Sequence, residues 1–140
     1  MIDSIAHRGP DGGDIYINNS ASVGLAHRRL SIIDLKHGNQ PMADIKGEVW
    51  IVFNGVIYNY SELRTKLKDM GYPIETDSDT EVIIYSYIEW GEKCLCKFNG
   101  MFAFLIYDGR KNKIFGARDR IGIKPVYYYC DKKILSLLQK

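Results

Sequence analysis

The most distinctive chemical pattern in the sequence is an apolar run at residues 48–53 that ends in Asn54-Gly55. The Asn side-chain amide and the backbone N–H of the next residue can both donate to one oxygen that gains charge during acyl transfer, which is the chemistry of an oxyanion hole. The same dipeptide is a strong signal for a two-residue hairpin turn. Both interpretations stay open on the pattern alone.

A second polar cluster, residues 27–31, interrupts an otherwise apolar run and contains two adjacent arginines, Arg28 and Arg29. Successive strand residues face opposite sides of a sheet, so one of these arginines can point inward. An inward guanidinium needs a carboxylate, and a bound amino acid can supply one bidentately. A buried ion pair with Asp34 or Asp79 is the alternative.

A third cluster, residues 7–13, combines one proline, one aspartate and a glycine pair, Gly12-Gly13, in a sharply turned loop. Turn chemistry favours a structural role, with Asp11 capping backbone amides. The loop could instead present its polar groups to a ligand.

The bulk composition indicates one globular domain over residues 1–140, because 46% of the residues are hydrophobic and 26% are charged. The 19 basic and 17 acidic residues nearly balance, and no block of like charge suggests a nucleic-acid or membrane surface. A small molecule or a protein is the expected partner. The three cysteines, Cys94, Cys96 and Cys130, form neither a disulfide framework nor a metal pair. Without an export signal or a membrane span, a cytoplasmic location is expected.

The elements that would position these clusters alternate between strands and helices. Short β-type segments occupy residues 14–17, 23–33 and 48–53, and a first helix should begin after Asn59 as its cap and end before Gly71. A second helix should begin within residues 77–81 and reach Gly91. An Asp108-Gly109 hairpin should join residues 101–107 to residues 113–117, followed by closing segments at 126–129 and 133–138. This order predicts an α+β fold with stacked antiparallel sheets covered by helices.

Seven segments, in order and with similar spacing, resemble the class II glutamine amidotransferase domain of glutamine-hydrolysing asparagine synthetases. They are HRGPDG at 7–12, LAHRRLSIIDL at 25–35, QPM at 40–42, FNGVIYNY at 53–60, SDTEV at 78–82, GMFAF at 100–104 and ARDRIGIKPVYY at 117–128. The resemblance covers all but the last few residues, and the ordered set is far more specific than any one motif.

The resemblance implies an N-terminal-nucleophile fold and a reaction. Such a domain hydrolyses glutamine to glutamate and ammonia through a cysteine at the first position of the processed chain, whose α-amine acts as the base. The ammonia passes to a C-terminal synthetase domain, which uses ATP and Mg to amidate aspartate in asparagine biosynthesis. That domain is not part of this sequence, so the resemblance implies no cofactor and no metal for the chain itself.

The resemblance also implies roles for individual residues. Arg29 would hold the α-carboxylate of glutamine, and Asp79 would take its ammonium group. Asn54 and Gly55 would form the oxyanion hole, and the pocket would be completed by Leu30, Ser31, Ile32, Ile33 and Val56. Arg118, Asp119 and Lys124 would shape the surface that faces the synthetase domain.

Two departures from the family pattern matter for activity. Family members usually carry Glu where this chain has Val56, so weaker glutamine binding is expected. The family pattern begins with a Met-Cys-Gly segment upstream of the position that Met1 matches, so we expect the nucleophile and the first strand to be missing. None of the three cysteines carries a free α-amine that could substitute. We expect a chain truncated at both ends that shows no glutaminase activity alone.

Three hypotheses follow from the sequence. The first is the glutaminase domain of an asparagine synthetase, present as an incomplete chain. The second is a glutamine-binding or regulatory module that performs no chemistry. The third is a structural fragment whose exposed sheet edge pairs with other chains.

Overall fold

The computed structural model describes residues 12–29, 39–131 and 134–139. It contains eight strands in these ranges: β1 Gly12–Ile17, β2 Gly24–Arg29, β3 Met42–Ala43, β4 Val49–Ile57, β5 Gly100–Asp108, β6 Lys113–Arg118, β7 Val126–Cys130 and β8 Leu135–Gln139. The same ranges hold two α-helices, α1 Tyr60–Asp69 and α2 Asp79–Trp90, and a short 3-10 helix, Gly91–Cys96. The predicted loop at residues 7–11 and the predicted strand beyond residue 29 lie outside these ranges.

A four-stranded antiparallel sheet in the order β3-β4-β5-β6 carries the rest of the fold. Its two long strands, β4 and β5, are apolar on both faces because each face meets a different layer. One face packs on α1 and α2 through a buried cluster that includes Val49, Ile51, Phe53, Ile57, Leu63, Leu67, Val82, Ile83, Phe104 and Ile106. Burial on both faces explains why these strands read as nearly continuous apolar runs.

The opposite face of this sheet packs on the two-stranded sheet β1-β2. Leu25 of β2 belongs to one buried cluster with Val52 of β4 and Leu105 of β5. At its margin the rings of Tyr16 and Trp50 stack with their centroids 3.9 Å apart. Two stacked antiparallel layers with helices on one outer face confirm the predicted α+β arrangement. Strands β7 and β8 form a separate antiparallel pair.

The helix boundaries agree with the sequence, but one capping prediction is wrong. Helix α1 does start after Asn59, yet the Asn59 side chain makes no capping hydrogen bond. Its Nδ2 donates to the Lys97 carbonyl at 2.9 Å, and its Oδ1 accepts the Asn99 N–H at 2.9 Å. The amide therefore ties the start of α1 to the segment that enters β5, because a partner distant in sequence offers both a donor and an acceptor.

The β5-β6 hairpin is confirmed, with a turn of four residues, 109–112. The pairing extends to Asp108 and Lys113, and the Asp108 carboxylate then turns back onto Arg110, accepting from Nε at 2.9 Å and from Nη2 at 2.8 Å. Asp108 is fully buried, so this charge-assisted pair offsets its desolvation.

Helix α2 is capped at its N-terminus by Ser78, whose Oγ accepts the Thr80 N–H at 3.2 Å. Residues 80–87 are buried in succession. Burial all round explains its aromatic and β-branched composition. No helix in the described ranges is long and apolar enough to span a membrane.

Two serine-to-alanine substitutions on α2 should have opposite effects on stability. Ser86 Oγ is buried without a hydrogen-bond partner among the described residues, so Ser86→Ala should leave the free energy of unfolding unchanged or raise it by up to about 1 kcal/mol. Ser78→Ala removes a helix cap and should lower it by about 1 kcal/mol. Urea denaturation of both variants measures this, and equal losses would contradict the assignment.

Candidate functional site

The Asn54-Gly55 pair lies inside β4 and not at a turn, so the hairpin interpretation of this dipeptide is wrong. The register continues through it, with Asn54 opposite Ala103 and Gly55 opposite Phe102 in β5. A long partner strand supplied from a distant part of the sequence overrides the local turn preference.

Glycine is required at position 55 by close approach and by backbone conformation. Gly55 has a φ of +149°, which side chains rarely tolerate. An added Cβ would lie 2.1 Å from the Met101 carbonyl oxygen and 2.7 Å from the Phe102 Cα. Any other residue here would push β4 away from β5.

The backbone N–H groups around Gly55 alternate between the two edges of β4. The Tyr58 N–H donates toward the β5 side, to the Asn99 carbonyl at 2.7 Å. The N–H groups of Phe53 and Ile57 point the other way and donate to the side chains of Gln40 and Asp79. Residue 55 lies midway between residues 53 and 57, so alternation places its N–H on the same edge. We call this row, residues 53, 55 and 57, the β4 edge.

Asp79, the first residue of α2, is brought directly to the β4 edge. Its Oδ2 accepts the Ile57 N–H at 3.0 Å. Burial raises the pKa of the Asp79 carboxyl above its ordinary value, while backbone hydrogen bonds, led by that from Ile57, act in the opposite direction. A half-buried carboxylate with this balance favours a cationic ligand, because a positive charge would offset the cost of its desolvation.

The structure describes only some of the remaining predicted site residues. Asn54 and Val56 are both half-buried, and alternation puts them on the face of β4 that carries Val52, which packs with β2. Arg29 is the last residue of β2, but its side chain lies outside the described part of the chain. Leu30, Ser31, Ile32 and Ile33 lie outside it entirely. The structure therefore brings Asn54, Gly55, Val56 and Asp79 together.

The three cysteines, at positions 94, 96 and 130, are distant in sequence from the β4 edge. Cys94 is fully buried in the helix-side core, and burial raises the pKa of its thiol to about 12, so it is protonated at neutral pH. Cys94 therefore acts as a small apolar residue of the core. Cys96 and Cys130 are exposed.

Asp119 is a structural residue whose role the sequence did not reveal. It is only 4% exposed, and its carboxylate accepts the N–H groups of Phe102, Ile123 and Lys124 at 3.2, 2.9 and 3.0 Å. These backbone donors hold the pKa of its carboxyl at about 2. The family resemblance implied that Asp119 shapes the surface facing the synthetase domain. An aspartate shortly before a glycine, here Gly122, also favours an ordered turn.

A cavity of about 260 Å³ is lined by residues of β3, α2 and the segment 73–76. Its lining includes Met42, Glu81 and Tyr85. The Glu81 carboxylate is already engaged, since it accepts from the Thr76 N–H and hydroxyl. The lining does not include Asn54, Gly55 or Asp79, so the cavity is separate from the β4 edge.

A family described as a glutamine amidotransferase domain matches residues 1–137. This chain belongs to that family. Relatives of this amidotransferase domain include the glutamine-hydrolysing asparagine synthetase 3 of Bacillus subtilis, 43% identical over 130 residues, and asparagine synthetase 1 of the same organism, 49% identical over 128 residues. A putative asparagine synthetase 2 of Methanocaldococcus jannaschii is 44% identical over 148 residues.

These matches cover 91%, 91% and 94% of the amidotransferase chain but only 21%, 20% and 28% of the three relatives. The chain therefore spans about a fifth to a quarter of the length of these relatives. It is homologous to their glutaminase domains.

A solved structure confirms the predicted N-terminal-nucleophile fold of the amidotransferase domain. The glutamine phosphoribosylpyrophosphate amidotransferase from B. subtilis, complexed with ADP and GMP, superposes with a TM-score of 0.74 at 20% identity. The match covers 97% of this chain and 37% of that one. At this identity the likeness establishes the fold alone.

Replacing Gly55 should be far more costly than replacing another glycine with positive φ. Gly55→Ala combines backbone strain with a collision against β5 and should lower the free energy of unfolding by about 3 kcal/mol or more. Gly47, with φ +69° and no atom within 4 Å of an added Cβ, is the matched control, and Gly47→Ala should cost about 1–2 kcal/mol. Chemical denaturation measures both, and similar losses would contradict the close approach.

The pH dependence of stability should distinguish Asp79 from Asp119. The pKa of Asp79 is raised from 3.8, so its contribution favours the fold below that value and is lost as the pH rises through the raised pKa. Asp79→Asn removes this loss, so the variant should gain stability relative to the parent chain as the pH rises above 3.8 and through the raised pKa.

The stability of Asp119→Asn relative to the parent chain should change with pH in the opposite direction. The pKa of Asp119 is lowered to about 2, so its contribution is present above 3.8 and lost as the pH falls through about 2. Thermal unfolding across this range measures both variants. A parallel dependence for the two would contradict the assigned pKa directions.

Proposed function

We propose that this domain binds L-glutamine at the β4 edge and polarises its side-chain amide for hydrolysis to glutamate and ammonia. The main support for the proposal is that the Asp79 carboxylate and the Gly55 N–H lie at the same edge of β4. Asp79 is held there by the Ile57 N–H, which it accepts at 3.0 Å. A carboxylate that can bind a cation and an N–H that can donate to an oxyanion thereby face the same side of the strand.

The spacing along β4 suits glutamine. Residues 55 and 57 are two strand positions apart, which corresponds to about 7 Å. An ammonium group at Asp79 would then leave the side-chain carbonyl oxygen of an extended glutamine near the Gly55 N–H and the Asn54 amide. Arg29, at the end of the strand that packs on β4, would pair with the α-carboxylate through its planar guanidinium. One anion and one cation on either side of a zwitterion fix its orientation.

The proposed chemistry is attack on the amide carbon by the N-terminal cysteine thiolate that the family resemblance implies for such a domain. As the new bond forms, the carbonyl oxygen becomes an oxyanion that Asn54 and Gly55 stabilise. The α-amine passes the thiol proton to the leaving nitrogen, so collapse of the tetrahedral species breaks the C–N bond and releases ammonia. Water then hydrolyses the thioester to glutamate and frees the thiol. Among the described residues Cys94 is excluded as the nucleophile because its thiol is buried and protonated.

The use of the ammonia is inferred from the relatives. The proteins named asparagine synthetase at 43–49% identity support amidation of aspartate in asparagine biosynthesis as the purpose of the released nitrogen. ATP and Mg would act in the synthetase portion of such a protein, and we assign no residue of this chain to them.

A second candidate is a glutamine-binding module that performs no hydrolysis. Val56 favours it, since an apolar side chain beside the proposed ammonium site supplies no second acceptor. Release of ammonia from glutamine separates the two candidates, and it should be measured on the same preparation that is used for binding.

Glutamine binding should depend on Asp79 and not on its neighbour Asp77. Calorimetric titration should give saturable binding that Asp79→Asn weakens by about tenfold to a hundredfold, the equivalent of one charge-assisted hydrogen bond. Asp77→Asn is the matched control, because Asp77 is 83% exposed and pairs with Arg64, and it should bind as the parent chain does. No saturable binding, or equal effects of the two substitutions, would refute the proposal.

Introducing an acidic residue at position 56 should strengthen binding. Val56→Glu would add an acceptor for the ammonium group and should lower the Kd for glutamine by about tenfold. Glutaramic acid, which is glutamine without its ammonium group, serves as the control ligand and should gain nothing. A variant that binds glutamine more weakly would show that the ammonium group lies elsewhere.

A further inference from the structure

The hydrogen bonding between β5 and β6 continues for one residue beyond the end of β6, where a side chain takes the place of one backbone group. Strand β6 ends at Arg118, which pairs with Ala103. At the next position the Asp119 N–H donates to the Phe102 carbonyl at 2.7 Å. The Phe102 N–H donates in return to the Asp119 carboxylate at 3.2 Å. Both backbone groups of Phe102 are therefore held by one residue.

Phe102 lies directly opposite Gly55, on the other side of β5 from Asp119. The two backbones are so close that a Cβ on Gly55 would be 2.7 Å from the Phe102 Cα. Since packed backbones at this separation have no slack, a shift of Phe102 must be passed to Gly55. Misplacement of a catalytic group by about 1 Å can cost a hundredfold in rate.

The same carboxylate organises the loop that follows β6. It accepts the N–H groups of Ile123 and Lys124 at 2.9 and 3.0 Å, and the Gly122 N–H donates to the Asp119 carbonyl at 3.0 Å. Asp119 thus ties Phe102 to a closed loop on the side of β5 that faces away from β4.

We propose that Asp119 is a positioning residue for the oxyanion hole: by clamping Phe102 from the outer side of β5 it sets the place of the Gly55 N–H on the β4 edge. The inference rests on the proposed function, because it gives a role in glutamine hydrolysis to a residue that does not touch the substrate. It adds a residue from the far side of the sheet to a site built from β4 and α2.

Asp108 provides a matched control at the opposite end of the same strand. Both aspartates are buried, and each carboxylate accepts at least one backbone N–H. Asp119 lies beside the start of β5, and Asp108 is its last residue. The substitutions Asp119→Asn and Asp108→Asn each remove one buried carboxylate charge, the first beside the start of β5 and the second at its end. A loss of general stability would affect both variants, whereas only Asp119 faces Gly55 through Phe102.

The experiment follows the Gly55 amide by nuclear magnetic resonance in the full chain, with and without L-glutamine. Asp119→Asn should move the ligand-free Gly55 resonance and should reduce by at least half the shift that saturating glutamine produces. Its Kd for glutamine should stay within about threefold of that of the parent chain, since the zwitterion contacts remain. Asp108→Asn should leave both Gly55 signals unchanged and should alter the Arg110 amide instead.

An unchanged Gly55 response in Asp119→Asn, or an equal loss in Asp108→Asn, would overturn the inference while leaving glutamine binding intact. Failure of the parent chain to bind glutamine would instead overturn the proposed function. If Asp119→Asn does not fold, Asp119→Glu takes its place, because it keeps the charge and moves the carboxylate by one methylene. It should show the same loss at Gly55.

Discussion

The hydrogen bond from the Ile57 N–H to Asp79 is the contact on which the site depends. It joins the first turn of α2 to the last residues of β4 at 3.0 Å, and so brings a carboxylate from a helix to the edge of a strand. Without it, Asp79 and the Asn54-Gly55 pair would belong to separate layers. Burial raises the pKa of this carboxyl, so the fold keeps a charge where a cationic ligand would relieve its cost.

Close packing fixes the other half of the site. The pairing of Gly55 with Phe102 leaves no room for a side chain, and that pair is in turn held by the Asp119 carboxylate on the outer side of β5. The three layers each contribute a separate constraint: the β1-β2 sheet covers one face of β4, the helices cover the other, and β5 sets the position of the backbone between them. A site built in this way is preorganised before any ligand enters.

Much of the architecture could be predicted from the sequence because the signals were local. The apolar runs of β4 and β5, the serine that begins α2 and the Asp108-Gly109 hairpin all follow from periodicity and turn chemistry. The Asn54-Gly55 dipeptide and Asn59 could not be placed by the same means, since their partners, Phe102 and the segment 97–99, lie about 40 residues or more away. Asp119 likewise has one backbone partner, Phe102, that lies 17 residues away. The juxtaposition of Asp79 with position 55 was implied by the family resemblance, and the structure supplies the contact that achieves it.

In the proposed site, one edge of β4 holds both the ammonium group and the side-chain amide of a glutamine molecule. A crystal structure of the chain with L-glutamine would show whether it does. We expect the ligand ammonium group within hydrogen-bonding distance of the Asp79 carboxylate and the side-chain oxygen facing the Gly55 N–H and the Asn54 amide. Glutamine bound in the reverse orientation, or bound in the cavity beside Glu81 and Tyr85 with the β4 edge empty, would contradict it.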